Sequence, residues 1–398
     1  MTFKTLRDAE VRGKRVLLRE DLNVPMKDGA IADETRITAA LPTLRYLREQ
    51  GAKTVILSHL GRPDGTPNPK YSLRPLAPRL AELLGTEVRF VEDCVGEAAV
   101  TASHRLADGG FALFENVRFH PEEEANDPAF ARELARSGDL YVNDAFGTAH
   151  RAHASTAGVA AYLPAYAGFL MEAELAALAR LTERPEHPFV CAIGGAKVAD
   201  KVGVFENLLA RVDAFVIGGG MANTFLAAQG IEVGKSLRDP DLMPAQRIIA
   251  MSLAKGVALH LPTDAVVADA FDADETARTV PLDHVGEAMI LDIGPETARA
   301  YAGVLREAKT IVFNGPMGVY EKPAYQNGTR VVGEAIAEAT QRGATSVVGG
   351  GDAAAAAHAL GFAGAMTHVS TGGGATLEFL EGKTLPGVAA LEQSAARA

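Results

Sequence analysis

Cysteine is scarce in this chain, and its scarcity limits the classes of protein to which the chain can belong. Among 398 residues only Cys94 and Cys191 are cysteines, and they form no Cys-x-x-Cys pair. This excludes a disulfide framework and a cysteine-rich zinc site. Two isolated thiols are typical of a reducing compartment, and we expect both to be buried.

An excess of positive charge and a long apolar segment are also lacking. The net charge of −11 argues against nucleic acid as the main partner. The first fifteen residues contain no apolar core of a signal peptide, so we predict no secretory signal and a cytoplasmic location. Two uncharged stretches, 152–171 and 214–231, are interrupted by polar residues, glycines and Pro164, and we predict that neither spans a membrane.

The chain is instead rich in short apolar runs that end abruptly in glycine or polar residues and precede helical patterns. These runs occupy 14–23, 53–63, 111–119, 139–147, 189–197, 214–220, 289–295, 310–318, 345–352 and 368–374. Apolar strands that alternate with helices predict parallel sheets covered on both faces. The length favours two domains. We therefore predict an α/β protein with two doubly wound, Rossmann-like domains joined by a helix and hinge.

The ends of the predicted strands are of two chemical kinds. In the first half they carry arginine, histidine, asparagine and aspartate, whereas in the second half they carry glycine runs. Ligands bind beyond the carboxyl ends of the strands in such folds. We place the domain boundary in the helical pattern at 168–184, which stops before Pro185.

The glycine runs predict a phosphate site without a P-loop. STGGG (370–374) precedes a helical pattern whose N-terminus would present free N–H groups to an anion. The lysine of a P-loop is absent, because Ala375 follows Gly374. The cations must therefore come from elsewhere in the chain.

GGAKVADK (194–201) and GGGD (349–352) are the candidates for the rest of this site. Lys197 and Lys201 would lie one helical turn apart and face one phosphate; the less favoured alternative is that both are solvent-exposed helix lysines. Asp352 is an oxygen ligand of the kind that Mg²⁺ takes, or a helix N-cap, and the two roles are compatible.

The arginines of the first half predict a second anion site, since arginine holds anions by bidentate hydrogen bonds. Each arginine taken singly is equally well explained as a surface ion-pair partner. His150 and His153 in AHRAH lack a supporting Cys/His cluster, which favours structural roles over metal binding.

A competing hypothesis comes from Gly349, Gly351 and Ala354, which satisfy a relaxed dinucleotide-binding pattern. The ribose-binding acid expected about 20 residues later is missing, because Glu378 lies beyond a further predicted strand. An oxidoreductase therefore remains as one alternative, and a non-catalytic nucleotide-binding protein as another. Binding of NADH without binding of ADP would favour the first.

Eight blocks in their order make the chain resemble the phosphoglycerate kinase family nearly from end to end. They are REDLNVP (19–25), SHLGRP (58–63), ENVRF (115–119), NDAFGTAHRAH (143–153), GGAKVADK (194–201), NGPMGVYE (314–321), GGGD (349–352) and STGGG (370–374). The resemblance implies transfer of a phosphoryl group between MgATP and 3-phosphoglycerate in a monomeric enzyme. It also implies an acid-binding domain at 1–170, an interdomain helix at 171–184, a nucleotide-binding domain at 185–384, and a segment at 385–398 that returns to the first domain.

The resemblance also implies roles for single residues. The residues expected to bind the acid substrate are Asp21, Asn23, Arg36, His59, Leu60, Gly61, Arg62, Arg118 and Arg151. Those expected to bind the nucleotide are Gly195, Ala196, Lys197, Lys201, Gly219, Asn314, Pro316, Glu321, Gly350, Gly351, Asp352 and Ala353. Catalysis is expected from Arg36, Lys197, Gly373 and Gly374, and Mg²⁺ is expected to be held through Asp352.

Two positions depart from the family's pattern. Glu20 stands where the family usually has valine, and Ala353 stands where it usually has threonine. Ala353 lacks the hydroxyl that threonine would bring near the nucleotide phosphates, but the backbone donors around it are kept. If the Glu20 side chain points away from the site, its effect is expected on packing more than on chemistry.

Overall fold

The structure is a computed structural model that describes residues 2–397. The chain divides into two compact units, Met1–Leu175 with Thr384–Ala398, and Ala176–Lys383. We call them unit 1 and unit 2.

Unit 1 is built around a six-stranded sheet. The strands of unit 1 are β1 Arg15–Arg19, β2 Met26–Lys27, β3 Ala30–Ile31, β4 Lys53–Leu57, β5 Val88–Val91, β6 Phe111–Phe114, β7 Leu140–Asn143 and β8 Ala165–Ala167. Of these eight, β2 and β3 pair only with each other, in a separate two-stranded antiparallel sheet. Its helices are α1 Thr35–Glu49, α2 Leu76–Leu84, α3 Gly96–His104, α4 Pro121–Glu124 and α5 Pro128–Ala135, followed by α6 Phe169–Thr182, within which the boundary to unit 2 falls.

The strand order in the sheet of unit 1 is β5-β6-β4-β1-β7-β8, and every pair is parallel. The central strands are buried on both faces, as the continuous apolar runs predict. In this order β4, β6 and β5 lie on one side of β1, toward one edge of the sheet, and β7 and β8 lie on its other side, toward the opposite edge. Such a switch point opens a crevice at the carboxyl ends of β1 and β7.

Unit 2 repeats this architecture with a different sequence. Its strands are β9 Phe189–Ile193, β10 Ala214–Ile217, β11 Ala258–His260, β12 Asp264–Ala268, β13 Arg278–Pro281, β14 Met289–Ile293, β15 Thr310–Asn314, β16 Thr345–Val348 and β17 His368–Val369. Its helices are α7 Val202–Leu208, α8 Gly219–Ala228, α9 Met243–Lys255, α10 Pro295–Arg306, α11 Asn327–Gln341, α12 Gly351–Ala359 and α13 Gly374–Leu380. The order β11-β10-β9-β15-β16-β17 puts its switch point between β9 and β15.

One strand prediction is corrected by the structure. The apolar run at 289–295 forms β14, but β14 belongs to a separate antiparallel sheet of order β13-β12-β14. In this sheet β13 is mostly exposed. The apolar cluster that the sheet helps to bury is small and includes Ala265 and Val267. A buried strand is a short apolar run in a parallel sheet and in an antiparallel sheet alike. The sequence of such a run therefore does not show which kind of sheet it joins.

The last helix, α14 Pro386–Arg397, belongs to unit 1. Gly387 N donates to Ala149 O, and Ala165 N donates to the hydroxyl of Ser394. These bonds fix the end of the chain beside β8. Within residues 2–397, no helix is both long and apolar enough to cross a membrane.

Candidate active site

The crevice of unit 1 collects polar side chains from the segments that follow β1, β4 and β6. Arg36, at the start of α1, donates to the Asp21 carboxylate at 2.5 Å and stays one-third exposed. Asn23 accepts the Gly61 N–H at 2.8 Å, and Arg118 donates to Gly61 O at 2.9 Å. Residues that are far apart in sequence are thus fixed around one backbone turn.

Positive charge dominates this crevice. Burial, followed by the charges of Arg19, Arg118 and Arg36, holds the pKa of His59 well below its ordinary value. Burial and the arginines, Arg118 first, likewise lower the pKa of His153 to about 4. Both imidazoles are therefore neutral at pH 7, and the arginines supply cationic charge beside them. Such a region attracts a multiply charged anion.

Of the other two predicted arginines, Arg62 is exposed and Arg151 is half-buried. Arg151 contributes to the positive field, since its charge helps lower the pKa of Arg118, after burial and alongside Arg19. Leu60 is buried, and its carbonyl accepts a hydrogen bond from the Asn116 side-chain amide.

The sequence indicates Arg19 as one of the charged residues at the strand ends, but not the buried hydrogen-bond partners that hold it. Arg19 is 1% exposed; it donates to Ser155 Oγ at 2.8 Å and to Nδ1 of His59 at 3.2 Å. The Ser155 hydroxyl in turn donates to the fully buried Glu123 carboxylate at 2.6 Å. Strand periodicity gave no signal for Glu123, because it lies in the four-residue helix α4.

Glu20, the departure from the family's pattern beside this crevice, is fully buried, and the charge of the buried Asp144 carboxyl acts on it. Asp144 Oδ1 accepts the N–H groups of Leu170 and Met171 at 2.8 and 3.1 Å, at the beginning of α6. Burial raises the pKa of Glu20 well above its ordinary value, and burial raises that of Asp144 to about 6. Glu20 therefore holds the proton that the pair shares.

In unit 2 the glycines lie where strand ends meet. A Cβ on Gly219 would come within 2.7 Å of Gly195 N and O, so only glycine allows this approach. Asn314, at the end of β15, donates its side-chain amide to Gly349 O at 2.7 Å. The turns after β9, β10, β15 and β16 are thus packed backbone against backbone.

A cavity of about 290 Å³ opens at this edge of unit 2. The predicted nucleotide residues that line it are Gly195, Ala196, Gly219, Pro316, Glu321 and Asp352. Much of its remaining lining forms an apolar wall that was not predicted; it includes Leu237, Phe271, Leu282, Met289 and Leu291. A flat aromatic base fits such a wall, and the polar residues of the lining can take polar groups of the same ligand.

The structure corrects the expected arrangement of the two lysines. The α-helix begins only at Val202, after a single 3₁₀ turn at Ala199–Lys201, so the lysines do not share a helical face. Lys201 Nζ donates to Gly194 O at 2.7 Å and Asn314 O at 2.6 Å, which ties β9 to β15. Burial lowers its pKa to about 8. Lys197 is exposed, with no ion-pair partner among the described residues.

Glycine forms the starts of α12 and α13. Gly350 is the N-cap of α12 and Gly351 its first residue, which puts Asp352 inside the first turn and rules out the N-cap role for this side chain. Its carboxylate is exposed and lines the cavity. Ala353, by contrast, is 1% exposed and packs in the apolar core. The N-cap of α13 is Gly373, whose φ of 50° favours glycine, and Gly374 is the first residue of that helix.

Comparison with known proteins identifies the family. The family model described as "Phosphoglycerate kinase" matches residues 6–383. The chain belongs to the phosphoglycerate kinase family. It is similar to the phosphoglycerate kinase of Chloroflexus aurantiacus, with 55% identity over 99% of this chain and 100% of the relative. It is also similar to that of Pelotomaculum thermopropionicum, with 56% identity over 98% and 99%.

Solved structures agree with this assignment. The structure of phosphoglycerate kinase from Coxiella burnetii matches with a TM-score of 0.91 and 44% identity, over 99% of this chain and all of that one. The enzyme from Pyrococcus horikoshii matches with a TM-score of 0.83 and 36% identity over the same shares. The predictions of family, fold class and activity are confirmed: the chain is a carboxyl-acceptor phosphotransferase of glycolysis and gluconeogenesis. The oxidoreductase and the non-catalytic alternative are thereby set aside.

Proposed function

We propose that unit 1 binds the acid, 3-phosphoglycerate or 1,3-bisphosphoglycerate, and that unit 2 binds MgATP or MgADP. The observation that carries this division is the positive field in unit 1. It is strong enough to help keep the buried His59 and His153 neutral, while arginine stays charged. Fixed guanidinium groups suit a small acid that carries both carboxylate and phosphate.

The roles in the acid site follow from exposure and contacts. Arg36 and Arg62 have exposed guanidinium surface and serve as direct ligands, together with the half-buried Arg151. Arg118 is more deeply buried and holds the turn at Gly61, which brings the backbone of Leu60 and Gly61 to the acid. Asp21 and Asn23 hold Arg36 and Gly61 in place, and the neutral His59 contributes a hydrogen bond.

The roles in the nucleotide site follow from the cavity. The apolar wall takes the base, and the glycine turns at Gly195, Gly219 and Gly350 let the backbone approach the phosphates. Lys197 is free to bind phosphate, whereas Lys201 acts mainly by fixing the strand ends.

Magnesium fits the residues present. Asp352 offers one exposed carboxylate at the cavity, and Glu321 lines the same cavity. Mg²⁺ commonly takes one or two protein carboxylates while phosphates and water supply its other ligands. When bound, it would neutralise phosphate charge; Asp352 would hold it.

The mechanism requires no general base. The nucleophile in the direction of ATP consumption is the acid's own carboxylate, which is ionised at neutral pH because carboxyl pKa values lie near about 4. The chain's task is to align the reactants and to stabilise charge on the transferring phosphoryl group. We assign that task to Lys197, Arg36 and the N–H groups of Gly373 and Gly374. We further propose a monomeric, cytoplasmic enzyme, as expected of a glycolytic kinase with two buried free thiols.

Because we place the two ligands on different units, transfer requires the units to close. In-line transfer needs reacting atoms about 3 to 3.5 Å apart with water excluded. Neither ligand alone contacts both units, so neither alone should favour closure. Solution scattering should show the largest decrease in the radius of gyration with both ligands bound, and little change with either one. A full contraction with nucleotide alone, or an unchanged radius in an active enzyme, would contradict this.

A further inference from the structure

A second cavity, of about 500 Å³, lies in unit 1 and is lined by none of the residues proposed to bind the acid. Two of its lining residues, Asp93 and His120, meet the side chain of Cys94 at its edge. Each of the three residues offers one ligand atom: a carboxylate oxygen, an imidazole nitrogen or the thiol sulfur. These three atoms all lie within 4.8 Å of one another. Among the described residues, 2–397, this is the single cluster of three such side chains.

The fold holds these residues firmly. Asp93 and Cys94 follow β5, and His120 follows the 3₁₀ turn Val117–Phe119 that comes after the parallel neighbour β6. Asp93 Oδ1 accepts the Cys94 backbone N–H at 2.7 Å and lies 2.7 Å from His120 Nε2. The His120 ring packs against Phe130, with ring centroids 5.0 Å apart. Three potential ligands therefore converge without rearrangement of a strand.

The combination of ligands indicates which metal ion fits. A thiolate and an imidazole select zinc over magnesium, which prefers oxygen ligands alone. With metal–ligand distances of about 2.0 to 2.3 Å, tetrahedral zinc places its ligand atoms about 3.3 to 3.8 Å apart. The cluster reaches this spacing if the short contact between Asp93 and His120 opens slightly. Cys94 is 1% exposed and does not line the cavity, whereas Asp93 and His120 do, so a fourth ligand would come from the cavity.

We propose that Asp93, Cys94 and His120 form a zinc site that is separate from the magnesium-nucleotide site. Binding replaces the thiol proton of Cys94, which passes to solvent. It also displaces the proton that His120 Nε2 shares with Asp93, which passes to Nδ1 of the same ring or to solvent, and no redox step is required. The metal would connect the segment after β5 to the turn that carries Arg118, two residues before His120. Zinc is then expected to stabilise unit 1, because it binds the folded arrangement and not the separated ligands.

Cobalt provides the direct test, because a thiolate bound to Co²⁺ gives a charge-transfer absorption in the near ultraviolet. We expect the full chain, reduced and freed of metal, to develop this band with one equivalent of Co²⁺ in the absence of nucleotide. Zn²⁺ should remove the band, whereas excess Mg²⁺ should leave it. Cys94→Ser should abolish it, and His120→Gln should weaken binding by at least about 10- to 100-fold.

The chain offers matched controls for both substitutions. Cys191→Ala removes the other buried cysteine, and His187→Gln breaks a histidine–aspartate contact of 2.6 Å to Asp213 that has no cysteine beside it. Both variants should keep the cobalt band. Circular dichroism verifies that each variant is folded, and the zinc-dependent rise in unfolding temperature should disappear only in Cys94→Ser and His120→Gln. A band that survives Cys94→Ser, or no saturable binding by the folded parent chain, would overturn the proposal.

Discussion

Lys197→Ala should lower kcat by about 10²- to 10³-fold while the KM for 3-phosphoglycerate changes little. The Lys197 side chain is exposed and pairs with no acid among the described residues, so its charge is available to the transferring phosphoryl group. Loss of a single group that acts mainly in the transition state has an effect of this size. Steady-state kinetics in both directions measure it.

Two comparisons isolate the role of Lys197. Lys255→Ala removes an exposed lysine at the end of α9 in the same unit and should leave kcat unchanged. The unfolding temperature of Lys197→Ala should match that of the parent, since the ammonium group holds no part of the fold. A loss that appeared only as a higher KM for the acid would show that Lys197 binds substrate and does not stabilise the transition state.

Glu20→Gln should stabilise the protein at about pH 8 and have little effect near about pH 5. In the parent, the raised pKa of Glu20 means that the folded chain keeps a proton which the unfolded chain releases above its ordinary carboxyl pKa. The folded state therefore loses stability as the pH rises from that ordinary value toward the raised one. The slope is about 1.4 kcal/mol per pH unit for one proton. Glutamine is neutral at every pH, so the variant should lose the part of the pH dependence that Glu20 contributes.

Unfolding temperatures measured across this pH range provide the test. Glu49→Gln, which removes an exposed carboxylate at the end of α1, serves as the control and should keep the parent's pH dependence. The Asp144 carboxylate holds the first N–H groups of α6, so the effect belongs to the unfolding of unit 1. Equal slopes for the parent and Glu20→Gln would show that the buried pair is not protonated as we describe.

The main sheets were predictable because their strands are buried on both faces. Runs such as 189–197 and 310–318 then read as continuous apolar segments followed by glycine. The direction of β14 was not predictable, since direction depends on which strand pairs with it and not on its own residues. Its antiparallel pairing is set by β12 and the β13 hairpin, which lie elsewhere in the sequence.

Within the sites, the residues found from sequence are those in compact motifs, such as Asp352 in GGGD. Those missed are polar groups that act across long separations, namely Glu123 beneath Arg19 and the cluster at Asp93. Lys201 was predicted for the nucleotide site, but its hydrogen bonds to two strand ends were not. The apolar wall of the nucleotide cavity was missed for a different reason. Its members, Leu237 and Phe271 among them, are indistinguishable from core residues until the fold brings them together.

Binding calorimetry on two single variants tests the division of ligands between the units most directly. Arg62 and Asp352 are both exposed, so neither Arg62→Ala nor Asp352→Asn should disturb the fold. A charge-assisted hydrogen bond contributes about 1.5 to 3 kcal/mol, which corresponds to about 10- to 100-fold in affinity. Arg45→Ala and Glu334→Gln remove exposed charges on α1 and α11 and should change neither affinity. We predict that Arg62→Ala weakens the binding of 3-phosphoglycerate only and that Asp352→Asn weakens the binding of MgADP only. If either variant weakened the binding of both ligands, or if the two effects were exchanged, the account would be contradicted.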